Sequence, residues 1–226
     1  MAFQLSSVVP WGRTMAEYRS MFLLTDEDKN KKIAGFGDGP ASFNHEANAA
    51  GWHITSFDPI YGFTKEQLAQ RIEEVLGIVM QQMAENMENY VWTQITSLDE
   101  LEAVRMGAMR EFLFDYELGN QQGRYICHEL PEKLPYPDAS FDIGLSSHFL
   151  LLYTALGLGF YIAAISEMLR VCKEVRIFPL CDLDSNASQL TSDVIGHFST
   201  EYEVQIRQTG YEFQKNANKL LVIRRK

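Results

Sequence analysis

Ile33-Ala34-Gly35-Phe36-Gly37-Asp38-Gly39-Pro40 is the stretch that decides how this chain is read. An apolar run delivers three glycines at alternate positions, and a segment of helical character follows. Glycine lets a backbone turn sharply and approach a ligand closely, and the N-terminus of the following helix offers free N–H groups to an electron-rich one. Downstream, Asp58 sits at the end of a second strand, residues 52–57, where a carboxylate can accept hydrogen bonds from both hydroxyls of a ribose. Loop and acid together point to a nucleoside-bearing ligand; the glycines alone would also suit an ordinary strand-to-helix turn. The spacing disfavours a dinucleotide, because a G-x-G-x-x-G pattern counted from Gly35 puts its third position on Pro40.

Working outward, Thr14 and Glu17 have the form of a capping box, and Met15, Tyr18, Met21 and Phe22 recur at helical spacing behind it. Residues 31–36 read as a buried strand, 35–40 as a tight loop, 41–50 as a helix stopped by Gly51, and 52–57 as a strand ended by Asp58 and Pro59. Thr64 with Gln67 opens a helix whose stripe is Leu68, Ile72, Val75, Val79, Met83 and Met87. Ser97 with Glu100 opens another, in which Leu98, Leu101, Arg105, Ala108, Phe112 and Tyr116 lie near one face before Gly119 and Gly123 break it. Strand signals follow at residues 125–128, 141–146 and 174–180, the last two separated by a helix over 159–171. Residues 202–208 and 220–224 flank Gly210 and a polar turn with Asn216 and Asn218, which suggests a closing antiparallel pair. Strands alternating with helices and ending in a hairpin describe an open α/β sheet.

Two segments carry a family resemblance. The G-x-G-x-G loop from Gly35 to Gly39 resembles the first motif of class I S-adenosylmethionine-dependent methyltransferases. Leu134-Pro135-Tyr136-Pro137-Asp138-Ala139-Ser140-Phe141-Asp142-Ile143 resembles the segment that leads into the fourth strand of many of them. The likeness extends over nearly the whole chain. It implies a seven-stranded, mostly parallel Rossmann-like sheet with helices on both faces, a terminal antiparallel hairpin and an extra helical insertion. Within one domain over residues 1–226, residues 1–30 would be an N-terminal helical segment and 62–120 the insertion between the second and third strands.

The resemblance also implies S-adenosylmethionine as cofactor, with Gly35 in the loop that binds it, Phe36, Gly37, Asp38 and Gly39 on its methionine side and Asp58 on its ribose. Glu129 is the nearest candidate for the adenine amino group. Arg13 is a candidate partner for the cofactor carboxylate. Ser146, Ser147 and His148 follow the fourth strand, where the reactive methyl faces the substrate in this family, and His148 is the candidate base. One departure stands out: the motif normally begins with Asp or Glu where this chain has Gly35. Asp38 is one residue that could supply the missing acid. A member that binds without transferring the methyl group is the alternative, and a nicotinamide-dependent oxidoreductase a more distant one.

Composition narrows the partners. The chain has 226 residues, 46% of them hydrophobic, and a formal net charge of -10, which disfavours a phosphate-neutralising nucleic-acid binder and favours a small-molecule substrate. No window approaches the roughly 20 apolar residues that span a bilayer, and residues 1–10 lack the look of a signal peptide. A cytoplasmic protein without a membrane partner is the expectation. Cys127, Cys172 and Cys181 have no metal-ligand spacing, so no metal is expected and all three read as buried reduced thiols. Met80, Met83 and Met87, with Met106 and Met109, suit either core and a homodimer interface or an adaptable lid over the substrate.

Overall fold

The computed structural model describes residues 11–226; the expectation about a signal peptide falls on residues 1–10 and lies outside them. Seven strands form one sheet in the order β3-β2-β1-β4-β5-β7-β6. The strands are β1 (Lys32–Phe36), β2 (His53–Phe57), β3 (Tyr125–Ile126), β4 (Phe141–Ser147), β5 (Cys172–Phe178), β6 (Tyr202–Gln208) and β7 (Lys219–Arg225). The first five run parallel, and β7 pairs antiparallel with both β5 and β6. This is the mostly parallel sheet with a terminal hairpin that the sequence implied.

Helices cover both faces: α1 (Met15–Phe22), α2 (Phe43–Ala49), α3 (Lys65–Glu85) and α4 (Leu98–Gln121) precede β3, α5 (Gly157–Val171) links β4 to β5, and α6 (Gln189–Ser199) precedes the hairpin. The period of two along each strand divides the core. Ile33, Ile54, Ile143 and Leu145 pack with α1, α2 and the start of α4, while Ala34, Phe36, Val175 and Ile177 pack with α5 and α6. A third cluster, Tyr61, Leu68, Phe112, Tyr116 and Tyr125, ties α3 and α4 to the β3 edge.

The helix starts are set by their caps. Thr14 and Glu17 form the full box on α1, and Thr64 and Gln67 form it on α3. At α4 the box is displaced: Ser97 caps Glu100 N–H, but the Glu100 carboxylate reaches past it to the N–H of Thr96 at 2.7 Å.

Several expectations are corrected. The third strand is two residues long, because the chain leaves the edge after Ile126. Helix α6 has no counterpart in the sequence reading; its first turn is polar and its apolar positions are few. Met87 lies beyond the end of α3 and is exposed, while Met83 is core. Cys127 is exposed, whereas Cys172 and Cys181 are buried. Residues Thr154–Val171 are also long and apolar enough to meet the composition of a membrane-crossing helix, contrary to the sequence reading. Their apolarity has a local cause: Tyr161, Ala164, Ile165, Met168, Leu169 and Val171 are wholly buried in the core formed with the sheet and α6.

Candidate functional site

In an open α/β sheet, ligands bind beyond the carboxyl ends of the strands where the strand order reverses. Here that point lies between β1 and β4, whose chain connections leave in opposite directions along the sheet. A cavity of about 720 Å³ opens there. Its wall is made by Gly37–Pro40 after β1, Phe57–Ile60 after β2, His128–Leu130 after β3 and Ser147–Phe149 after β4, closed by Trp11, Arg13 and Tyr18 and by the first turns of α3.

Gly37 and Gly39 are the positions where the loop needs glycine. Both have positive φ, 71° and 60°, and a Cβ on Gly37 would come within 2.8 Å of the Phe149 ring. Asp58 fastens the loop. One of its carboxylate oxygens accepts the Gly39 N–H and the other the Ile60 N–H, each at 2.9 Å. Burial pushes its carboxyl up, against the pull of those two N–H donors.

Asp38 is held differently. Its carboxylate accepts the Tyr18 hydroxyl at 2.8 Å and the Ser56 hydroxyl at 2.6 Å. Burial pushes its pKa up to about 6, with the two hydroxyls working the other way and the Asp58 charge adding to the rise. A carboxyl whose pKa is higher folded than unfolded takes up protons on folding, so its contribution is favourable at low pH and is lost as pH rises through about 6. The stability of the protein relative to its Asp38→Asn variant is therefore expected to fall between pH 4 and pH 7. Its limiting slope is about 1.4 kcal/mol per pH unit. Urea unfolding of both proteins at three pH values measures it; a difference independent of pH removes the assignment of a raised pKa to Asp38.

The cavity wall also carries a cation, Arg13, beside a buried charged pair. Arg105, in α4, is fully buried and paired with Glu17 at 2.7 Å, and Tyr211 donates its hydroxyl to the same carboxylate at 2.9 Å. Arg13 lies beside this pair and lines the cavity, yet among the described residues it has no carboxylate within salt-bridge distance, and its Nε has no hydrogen-bond partner. Burial first, and Arg105 second, pull its pKa down. Arg105 thus holds the Glu17 carboxylate in direct contact, and Arg13 acts on it only through its charge.

His148 lines the cavity, with φ of 54° and its Nδ1 2.9 Å from the Ser147 hydroxyl. Burial, then the charges of Arg13 and Arg105, hold its pKa well below 6.5, so the ring is neutral at pH 7.

Of the residues singled out in the sequence, Gly37, Asp38, Gly39, Asp58, Glu129, Arg13 and His148 are brought together on this one wall. Glu129 is exposed there. Three others are corrected. Phe36 points into the core and stacks on Phe57 at 5.3 Å; Gly35 lies behind the wall, under the Asp38 carboxylate; Ser146 faces the α5 side of the sheet, its buried hydroxyl without a partner, and Ser147 takes the place on the wall. The sequence reading missed Tyr18, Ser56 and Tyr61. Tyr18 looked like one more position of an apolar stripe, and Ser56 and Tyr61 had no spacing to mark them.

The order and directions of the strands, with the ligand-sized cavity at the switch point, make this a Rossmann-type open α/β fold closed by an antiparallel hairpin. No protein-family model matches the chain. The chain belongs to the same family as the uncharacterized protein MJ0045 of Methanocaldococcus jannaschii, to which it is 34% identical over 223 residues, 98% of each chain. Among solved structures it is similar to the PH0226 protein of Pyrococcus horikoshii, with a TM-score of 0.47, 12% identity and coverage of 93% of this chain and 90% of that one. A SAM-dependent methyltransferase of Aquifex aeolicus is similar with a TM-score of 0.44, 10% identity and coverage of 92% and 90%.

Proposed function

We propose that this protein is an S-adenosylmethionine-dependent methyltransferase acting on a small-molecule acceptor. The observation that carries the reading is the presence of opposed charges in one cavity that have no ion-pair partner among the described residues: Arg13 without a carboxylate in salt-bridge range, and the buried Asp38 and Asp58 without a cation. A ligand that is both a nucleoside and an amino acid complements such a wall. Asp58, at the end of β2, meets the ribose hydroxyls; Glu129, after β3, faces the adenine; Arg13 faces the ligand carboxylate.

The bound cofactor supplies an electrophilic sulfonium methyl, and the protein contributes position and dryness. The glycine loop brings the backbone close to the ligand, and Tyr61 locks it by donating its hydroxyl to the Gly39 carbonyl at 2.9 Å. Phe63, Phe149, Leu156 and Phe160 offer the acceptor an apolar wall that excludes water. His148, neutral at pH 7, has a lone pair with which to accept a proton from the acceptor. A base this weak suits an acceptor that is itself acidic or already ionised.

Calorimetric titration with S-adenosylmethionine, S-adenosylhomocysteine and NAD tests the reading. Both adenosyl ligands are expected to bind and NAD is not; binding of NAD alone would replace methyl transfer with hydride chemistry. A second reading, a binding protein without turnover, draws on Gly35 at the usual acid position, and expects adenosyl binding with no acceptor methylated.

A further inference from the structure

Resting on that reading of the cavity, we propose that Asp38 is the residue that recognises the ammonium group of the ligand's amino-acid end, and that position 35 is glycine because this carboxylate fills its side-chain space. The steric half of the argument is direct. A Cβ built on Gly35 would lie 1.8 Å from Asp38 Oδ2, 2.5 Å from its Cγ and 2.7 Å from its Oδ1, all far inside contact distance. A side chain at position 35 and the carboxylate of Asp38 in its present place exclude one another. Gly35 pairs with Ser56 across β1 and β2, and it is the Ser56 hydroxyl that bonds the carboxylate, so the acid from position 38 occupies the face of the sheet onto which residue 35 would project.

The electrostatic half concerns what the carboxylate lacks. Asp38 is 7% exposed, and among the described residues it has no cationic partner; its two bonds come from neutral hydroxyls. Each oxygen has used one of its acceptor sites, and a carboxylate has about four in all, so acceptor capacity remains on a residue that lines the cavity. Asp58 lies close enough to raise the cost of the Asp38 charge further. A buried charge without a counter-charge is expensive, and a primary ammonium, with three N–H donors and one positive charge, relieves both the unpaired acceptors and the repulsion.

The experiment compares two ligands on the intact protein. S-adenosylhomocysteine carries the amino-acid end, and 5′-methylthioadenosine shares its nucleoside and thioether but lacks that end. Asp38→Asn is expected to weaken S-adenosylhomocysteine about tenfold or more, the worth of a charge-assisted bond, and to leave methylthioadenosine within twofold. Gly35→Asp alone is expected to lose S-adenosylhomocysteine to the same degree through the clash, and the exchange Gly35→Asp with Asp38→Gly to regain most of the loss. Retained affinity for S-adenosylhomocysteine in Asp38→Asn, or equal loss of both ligands, would overturn the assignment while leaving the cofactor site in place. Failure of the unaltered protein to bind either ligand would remove the cofactor reading and this one with it.

Discussion

Replacing Asp58 by alanine is expected to weaken binding of S-adenosylhomocysteine by about 1–3 kcal/mol, from roughly fivefold to more than a hundredfold. Two losses combine. The ligand's ribose hydroxyls lose their acceptor, and the N–H groups of Gly39 and Ile60 lose theirs, so the loop that approaches the ligand is freed at both ends. Asp58→Asn separates them in part: its amide oxygen still serves one N–H, while its NH₂ faces another donor, and the loss should fall between wild type and alanine. Titration of the three proteins decides the matter, and unchanged affinity in Asp58→Ala removes the ribose assignment.

Arg105→Ala is expected to cost about 3–5 kcal/mol of stability, because removing one partner of a buried ion pair strands the other. The Glu17 side chain is 12% exposed and that of Arg105 wholly buried. Burial works against the Glu17 carboxylate, and Arg105 and then Arg13 hold its pKa below the ordinary value all the same. The paired replacement Glu17→Gln with Arg105→Met should cost far less, since no charge is left behind. Urea unfolding measures both. A loss below about 1 kcal/mol in Arg105→Ala would mean that Arg13 turns to Glu17 and replaces its neighbour, in which case ligand affinity should fall instead.

The strands were legible because each has a physical mark on a short scale. The run into Gly35, the stop at Asp58 and Pro59, and the segment from Leu134 to Phe141 name the centre of the sheet, and two polar turn residues name the hairpin. The capping boxes at Thr14 and Thr64 placed two helix starts to the residue. The site was legible only where it is built from the chain ends of strands. Phe36 and Ser146 were misplaced because strand alternation sends them to the α5 face, one residue away from the wall in each case. Arg105 did announce itself, as a cation in an otherwise apolar helical stripe, but its partners lie 88 and 106 residues away in the chain and no spacing rule connects them. The missing acid at position 35 draws attention to Asp38, but that the two positions compete for one volume follows only from the folded loop.

The joining of Glu17, Arg105 and Tyr211 also sets an order of assembly. Contacts between residues so far apart in the chain close large loops, and such closures come late, after local helices and neighbouring strands have formed. The glycine loop needs only the pairing of β1 with β2, whereas the Glu17–Tyr211 contact joins residues 194 apart in the chain. Loss of the Tyr211 hydroxyl would leave the loop and Asp58 in place yet remove the brace on Glu17, and with it the tie between α1, α4 and the segment that follows β6.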